Sequence, residues 1–281
     1  MPNAIAYRTD WMRESTGSDR FPETTDQLLE AFRELKADGH PYGAPAGQSF
    51  GDPKTLWNAV LWSYGAKEVA EDGKTPLINS DQTREALEWA QRFWRDCCDE
   101  SGLSWDDNSN NRFYASEAIG ATQNGASIYI TAKRDNPQLA GLTSHAPFPK
   151  GPRGDQGSVC LTLTHMVMNY SRNLDAAKEF VVWLMEREQY SPWLGVTGGY
   201  DAGPLRAYES DPVWNQDPKM RPFLDSAKVT RWVGWPGPPT RATSEADSKF
   251  VIVNMFARVF QGRSPRDSMA QAEQELRGIY R

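Results

Sequence analysis

The pattern of apolar and polar positions predicts an α/β chain in which helices dominate. Apolar residues recur every three or four positions in several long segments, as they do in a helix with one face on a core. Short apolar runs of strand length lie between them, beginning with residues 3–7. Short strands separated by helices are typical of an α/β fold. The chain has no internal repeat.

Capping residues predict where the helices begin. Thr24 with Gln27 three positions later is a capping-box signature, and Gly39 is a stop signal. Asp52 is expected to cap a helix that Pro53 opens. Two further N-caps are expected at Ser80 and Ser264.

Later segments add strands and helices. A short strand is predicted to end at the Asn124-Gly125 turn, and residues 142–154 are predicted to be a strand followed by a loop. Residues 158–170 alternate loosely over a length that suits a strand. Helices are predicted within 173–190 and over 243–261.

Composition and charge limit the kinds of partner that the chain can be expected to bind. The 281 residues carry a net charge of -6 without a long run of like charge, which disfavours nucleic acid as a partner. No stretch approaches the roughly 20 apolar residues of a membrane helix. The amino terminus shows no signal-peptide pattern.

The cysteines and histidines predict neither a metal site nor a cofactor. Three cysteines cannot form a disulfide framework, and the three histidines fall in different elements. Cys97 and Cys98 are adjacent within a predicted helix, where a bridge between them would be strained, so we expect buried thiols. The third cysteine is Cys160.

A tryptophan-containing loop indicates a binding surface. Residues 231–239 place Trp232 and Trp235 among three prolines and two glycines, which exclude a helix interior or a central strand. A tryptophan in a loop either packs into a neighbouring core or is presented to a ligand. We expect Trp235 to be a preorganised aromatic platform.

Four stretches together resemble the bacterial solute-binding proteins of carbohydrate ABC transporters, the family that includes maltose-binding protein. Residues 4–36 resemble its strand, helix and P-x-T-W-D-E-L segment, and 111–130 resemble F-x-x-G-x-x-A-M-x-x-N-G, with Ser116 and Ala121 at variant positions. Residues 147–185 match P-x-P-G-P-x-G followed by AA-x-x-F-x-x-W-L. Residues 259–280 match the closing Q-x-x-x-G-x-x-S-P-x-x-A-L helix.

The resemblance implies a type II periplasmic-binding-protein-like fold and a periplasmic or extracellular location. It implies binding of a sugar or polyol, hinge closure of two lobes, delivery to an ABC permease and no catalysis. Residues 1–160 and 225–281 would form one nearly complete lobe, and 161–224 a helical remainder of the other. Most of the first lobe of the family has no counterpart, so the chain is expected to be N-terminally truncated.

An incomplete lobe would leave an apolar surface. The helix within 173–190 would then expose Phe180, Val181 and Leu184. We expect a second copy of the chain, or a separate N-terminal piece, to cover this surface.

Sugars present hydroxyls and an apolar C–H face, so a site for them requires aromatic rings beside amides and carboxylates. Each candidate also has a structural interpretation. Trp57 lies on a helix face that could be core, Asn124 could belong to a simple turn, and Asp106 could cap a helix. The candidate ligand-binding residues are Gln48, Trp57, Trp105, Asp106, Asn124, Ser127, Tyr200, Asp201, Trp235 and Arg241.

Two other functions stay open from the sequence. A glycoside hydrolase would require a pair of carboxylates about 5 to 10 Å apart. Asp106, Asp107, Glu117 and Asp201 are available, but no pattern singles out two of them. An interaction fragment that no longer binds sugar is the other alternative.

Overall fold

The structure is a computed structural model that describes residues 1–159 and 161–281. Cys160, at the expected boundary between the lobes, lies outside the described residues. The strands are β1 (Ala4–Arg8), β2 (Tyr42–Gly43), β3 (Ala121–Asn124), β4 (Thr143–Ala146), β5 (Ser158–Val159) and β6 (Thr230–Arg231).

Helices occupy most of the rest. The helices are α1 (Thr9–Thr16), α2 (Thr25–Ala37), α3 (Asp52–Ser63), α4 (Asp81–Cys97), α5 (Ser109–Ala115), α6 (Ser127–Asp135), α7 (Pro137–Leu142), α8 (Leu174–Leu184), α9 (Arg187–Val196), α10 (Val213–Gln216), α11 (Arg221–Lys228), α12 (Arg241–Ser248), α13 (Val251–Phe260) and α14 (Pro265–Ile279). Short 3-10 turns cover Glu100–Ser104, Arg206–Ser210 and Pro218–Met220.

A four-stranded sheet in the order β2-β3-β1-β4 lies at the centre of the larger part of the chain. β1 is antiparallel to both β3 and β4, with Ala4 opposite Asn124 and Ile5 opposite Ala146. β2 runs parallel to β3, and a separate two-stranded parallel sheet joins β5 to β6. This register sets Asn124 at the end of β3, next to the start of β1.

Alternation along β1 supplies both faces of the sheet. Ile5 and Tyr7 pack with α2, α3, α4, α13 and α14 in the larger core, whereas Ala4 and Ala6 face Tyr114, Ile128 and Phe223. A third cluster combines Tyr190, Leu194, Tyr208, Val213, Trp214 and Leu224. The expected boundary at residue 224 falls within α11, whose Phe223 packs on the sheet and whose Leu224 belongs to the third cluster.

Most of the local predictions are confirmed. Thr24 and Gln27 form the capping box of α2, and Ser80 and Ser264 cap α4 and α14. Cys97 and Cys98 are free, buried thiols. The prediction for Asp52 is wrong, because Gly51 is the N-cap of α3 and Asp52 is the first helical residue.

Three longer elements differ from the prediction. The expected strand at 158–170 is regular only over Ser158–Val159, and residues 162–168 belong to no helix or strand. The helix expected within 173–190 is two helices, α8 and α9. The helix expected over 243–261 is interrupted at Phe250, whose φ of 55° is left-handed.

Helix α8 has no buried residue. Phe180 is exposed as predicted, but Val181 and Leu184 are only partly exposed, and Val182 and Trp183 are the other large exposed side chains of this helix. An amphipathic helix normally buries one face, so α8 presents a face that no other part of the described chain covers.

Candidate functional site

The amino-terminal end of α3 meets the end of β3 at a group of polar side chains. Asp52 is 7% exposed and accepts a hydrogen bond of 2.8 Å from Nδ2 of Asn110 on Oδ2. Nδ2 of Asn124 lies 3.5 Å from the same oxygen. Two carboxamides from different elements therefore converge on one buried carboxyl group.

Asn111 and Ser127 extend this group toward solvent. Asn111 donates to Oγ of Ser127 at 3.1 Å and accepts from the amide of Asn124. Ser127 donates to Oδ1 of Asn124 at 3.3 Å. Both Asn111 and Ser127 are partly exposed. We call Asp52, Asn110, Asn111, Asn124 and Ser127 the asparagine cradle.

A carboxylate from another loop holds the rim of the cradle in place. Asp107 accepts hydrogen bonds of 3.0 Å from the backbone N–H of Gly51 and 2.9 Å from that of Asp52. Asp107 thereby satisfies amides at the start of α3 that a local cap would otherwise serve. The Asp52 side chain therefore does not cap α3, and its carboxyl group is bonded within the cradle instead.

Tyr200 and Asp201 approach the cradle from the loop after α9. Burial raises the pKa of Tyr200, and the nearby carboxylates of Asp201 and Asp52 raise it further. Asp201 pairs at 3.5 Å with the amino-terminal ammonium of Met1. The Met1 side chain lies 3.7 Å from the position that a Cβ on Gly125 would take. Both residues therefore lie in the neighbourhood of the Asn124-Gly125 turn.

The cradle is polar and lacks a hydrogen-bonded cation. Burial raises the pKa of Asp52 to about 7; the hydrogen bond from Asn110 opposes this rise, and the carboxylate of Asp107 adds to it. In the part of the chain that the structure describes, no lysine or arginine donates to a cradle side chain. Carboxamides donate and accept at once, so this group suits hydroxyl-bearing, uncharged ligands.

An exposed aromatic ring lies two residues before Asp52. Phe50 is 67% exposed, and its ring centre is 4.8 Å from Nζ of Lys54. The ring of Phe250 lies 4.6 Å from the same ammonium. Gln48, on the same loop, donates to Oδ1 of Asn254 at 2.9 Å. The loop before α3 therefore carries an exposed aromatic ring, and its Gln48 amide is bonded to α13.

Trp57 and Trp105 do not reach a surface in this structure. Trp57 is fully buried, stacks on Phe256 at 5.0 Å and donates to the carbonyl of Pro45. Trp105 is buried against Phe113. Every residue of α3 is buried, which is why the core interpretation of Trp57 holds.

Asp106 is exposed and has a local role. Its Oδ1 accepts from the backbone N–H of Asn108 at 3.1 Å and from the hydroxyl of Ser109. These bonds order the chain just before α5, but the N-cap of α5 is Asn108, so Asp106 does not cap the helix as the structural interpretation expected.

Trp235 lies in a different neighbourhood from the cradle. The guanidinium of Arg231 covers its ring at 4.0 Å, and Nζ of Lys67 lies 5.8 Å from the ring centre. Among the described residues no hydrogen bond or ring contact joins Trp235 to Asn124 or Tyr200. Arg241 is exposed at the start of α12, likewise without a bond to the cradle in the described chain.

The sequence analysis missed Asn110, Asn111 and Phe50. The polar run Asn108–Asn111 at a predicted helix start was a usable signal for the two asparagines. Phe50 gave no signal, because a single phenylalanine in a glycine-rich loop is as compatible with core packing as with exposure.

The described residues contain no group of three or more His, Cys, Asp or Glu side chains arranged to hold a metal ion. None of their helices is both long and apolar enough to span a bilayer.

The chain matches one protein family in sequence and many solved structures in fold. Residues 1–191 match the family described as bacterial extracellular solute-binding protein. No curated protein matches the chain in sequence.

The solved structures share the fold at low identity. A sugar transporter from Arthrobacter chlorophenolicus A6 with bound laminaribiose has a TM-score of 0.82 and 16% identity. Maltose-bound MalE3 of T. maritima has a TM-score of 0.80 and 19% identity. An ABC transporter solute-binding protein from Thermotoga lettingae TMO, bound with alpha-D-tagatose, has a TM-score of 0.82 and 18% identity. Each match covers 99% of this chain and 70% of the other. The predicted type II periplasmic-binding-protein-like fold is confirmed.

Proposed function

We propose that this chain, which belongs to the family of bacterial extracellular solute-binding proteins, binds a neutral sugar or polyol for an ABC importer. The family predicted from the sequence is the one that the match over residues 1–191 confirms. The proteins of similar fold include ones solved with laminaribiose, maltose and alpha-D-tagatose. These names support a carbohydrate as the class of ligand and leave the particular sugar open.

The observation that carries the proposal is the asparagine cradle. Asn111, Asn124 and Ser127 offer amide and hydroxyl groups that can each donate and accept a hydrogen bond, beside the carboxyl group of Asp52. Sugar hydroxyls need partners of this kind. Tyr200 and Asp201 lie close enough to add a second side to the site.

Phe50 is the aromatic platform that we propose for the apolar face of the sugar. Its exposed ring adjoins the cradle in the sequence and lies 4.8 Å from Nζ of Lys54 in α3. Stacking on a C–H face uses the apolar ring area that Phe50 leaves open to solvent.

We also propose the division into lobes that the sequence indicated. Residues 1–160 and 225–281 would form one lobe around the four-stranded sheet, and 161–224 would belong to the other. Tyr200 and Asp201 come from the second segment and the cradle from the first, so closure of the lobes would bring both sides onto a ligand. The third cluster, which gathers side chains of residues 190–224, supports this division.

Binding without catalysis is the function that we infer. Proteins of this family are transport binding proteins. The carboxylates that a hydrolase would use have structural partners instead: Asp107 holds the start of α3, and Glu117 pairs with Arg8 at 2.5 Å. Asp107 and Glu117 are therefore not available as the catalytic carboxylate pair of a glycoside hydrolase.

The partners follow from the same proposal. An ABC permease would receive the ligand, and the periplasm or the cell exterior is the expected location for this family. The exposed face of α8 would be covered by a further polypeptide.

A thermal-shift panel tests the proposal. Laminaribiose, maltose and tagatose are added in turn, and a sugar that binds only the folded state raises the melting temperature. Asn111→Ala should reduce this shift by removing a donor and an acceptor. Asn108→Ala, in the residue just before α5, is the matched control, because Asn108 is exposed and makes no capping bond through its side chain. If no sugar or polyol shifts the melting temperature, the proposed function is wrong.

A further inference from the structure

Phe50 lies on a short loop, residues 47–51, that a single carboxylate from elsewhere in the chain holds in place. Asp107 accepts hydrogen bonds from the hydroxyl of Ser49 and from the backbone N–H of Gly51. Ser49 and Gly51 are the residues on either side of Phe50 in the sequence. The chain at Phe50 is therefore held on both sides by one side chain.

The bonds to Asp107 are of a strong kind and reach the first turn of α3. Both carboxylate oxygens lie 3.0 Å from the backbone nitrogen of Gly51, and Oδ1 also accepts from the N–H of Asp52 at 2.9 Å. Hydrogen bonds to a carboxylate are roughly twice as strong as those between neutral groups, and a negative charge is favourable at a helix amino terminus. The N-cap residue, Gly51, has no side chain of its own to serve these amides.

Two glycines let the loop pack closely against residues 105–107. A Cβ on Gly47 would lie 2.5 Å from the carbonyl oxygen of Trp105, and a Cβ on Gly51 would lie 3.3 Å from Oδ1 of Asp107. Trp105 is itself buried, at 4% exposure. The loop that carries the aromatic ring therefore rests on a fixed part of the protein at both of its ends.

Asp107 lies just before α5, the helix that carries Asn110 and Asn111 of the asparagine cradle. Asn110 is fully buried and donates to Oδ2 of Asp52 at 2.8 Å, so the start of α5 is itself held in place. Phe50 comes from the loop before α3, and Asp107 bonds that loop to the chain that leads into α5. The distance between the ring of Phe50 and the amides of the cradle therefore depends on Asp107.

We propose that Asp107 is a positioning residue for sugar binding, which holds the ring of Phe50 at a fixed distance from the asparagine cradle. It acts through Phe50 and does not contact the ligand. A sugar that stacks on the ring and bonds to the amides binds more tightly when both partners are already in place, because less conformational entropy is lost on binding. This inference rests on the proposed function, since it requires a sugar in the cradle and Phe50 as its platform.

A double-mutant cycle measured by isothermal titration tests the proposal, with whichever of laminaribiose, maltose and tagatose gives the largest thermal shift. Asp107→Ala should weaken the affinity roughly fivefold. In a Phe50→Ala background, Asp107→Ala should leave the affinity unchanged, because the ring that it positions is gone. A residue that only stabilised the fold would lower the melting temperature without any such dependence on Phe50.

Asp72→Ala is the matched control. Asp72 also accepts from two backbone N–H groups and one hydroxyl, those of Lys74 and Thr75, but it lies in an exposed turn that carries no residue of the site. Its removal should leave the affinity unchanged. Asp107→Asn keeps one oxygen as an acceptor and should restore the affinity to within about twofold of the wild type.

Ser49→Ala removes one donor to Asp107 and decides the question if Asp107→Ala does not fold. It should weaken the affinity about threefold, and only when the Phe50 ring is present. The proposal is wrong if a sugar binds and these variants cost no affinity, or cost as much without the Phe50 ring as with it. If no sugar binds at all, the proposed function fails, and this inference fails with it.

Discussion

Nζ of Lys54 lies 2.7 Å from Oδ2 of Asp247, and the lysine side chain is 6% exposed. The pair joins α3 to α12, and the rings of Phe50 and Phe250 flank the same ammonium. A buried ammonium is costly unless a carboxylate compensates it. The position of Lys54, and with it the loop before α3, therefore depends on Asp247.

Removal of one partner of this pair should destabilise the fold. Asp247→Asn leaves the Lys54 ammonium buried without its counter-charge, and we expect a loss of about 3 kcal/mol in the free energy of unfolding. Urea denaturation measures the loss.

An exposed pair in the same region provides the control. Lys249 and Glu245 also lie 2.7 Å apart, but their side chains are 59% and 43% exposed. Glu245→Gln should therefore cost less than about 1 kcal/mol. Equal losses for Asp247→Asn and Glu245→Gln would contradict the assigned role of Lys54.

The Asp52 carboxyl group should make stability fall as pH rises. Burial raises its pKa to about 7 in the folded protein, whereas an unfolded aspartate titrates near pH 3.9. Between these values the folded state keeps a proton that the unfolded state has released, so the free energy of unfolding decreases from pH 4 to pH 7. Asp52→Asn removes this contribution.

Urea denaturation of both proteins across that range gives the measurement. Relative to Asp52→Asn, the free energy of unfolding of the wild type should fall by up to a few kcal/mol between pH 4 and pH 7. A difference that stays constant with pH would show that Asp52 is ionised in the folded protein throughout.

His145 should have the opposite effect below neutral pH. Burial lowers its pKa to about 4, and its Nδ1 is 2.8 Å from the carbonyl of Lys219 while Nε2 has no partner among the described residues. An unfolded histidine titrates near pH 6.5, so the unfolded state gains a proton first as the pH falls, and stability is lost from pH 6.5 toward pH 4.

His145→Phe tests this effect at a ring that packs against Tyr129 and Phe223. The variant loses the bond to Lys219 and should be about 1 kcal/mol less stable at pH 7. Its melting temperature should then decline less than that of the wild type between pH 6.5 and pH 4. Parallel declines would exclude His145 as the titrating group.

Local signals in the sequence predicted most elements correctly. The capping box of α2 requires only Thr24 and Gln27, which are three positions apart, and the strand predicted to end at Asn124 does end there, before Gly125. Such features are decided within a few residues. They were predictable without knowledge of the tertiary structure.

The errors concern residues whose partners are distant in the sequence. Asp52 was expected to cap α3, but Asp107 from another loop accepts from those amides. Trp57 was a candidate ligand-binding residue with a core interpretation beside it, but α13 supplies Phe256 to cover it. In each case a local pattern fits two roles, and only the tertiary contact selects one.

The aromatic platform can be located by comparing Phe50 with Trp235. The ring of Phe50 is 67% exposed, although Nζ of Lys54 lies 4.8 Å from its centre, whereas Trp235 is only partly exposed and the guanidinium of Arg231 lies 4.0 Å from its ring centre. A sugar therefore finds more open ring area on Phe50 than on Trp235. Phe50→Ala should therefore weaken the affinity for the best sugar of the panel roughly tenfold. Trp235→Ala should leave the affinity unchanged.

Isothermal titration with both variants decides between the two rings. Phe50→Leu is an intermediate variant, because it keeps apolar volume but removes the flat ring. It should lose most of the affinity that Phe50→Ala loses. A large loss in Trp235→Ala with none in Phe50→Ala would restore Trp235 as the platform. The ligand would then contact the 231–239 loop, and the asparagine cradle would line a different part of the cleft.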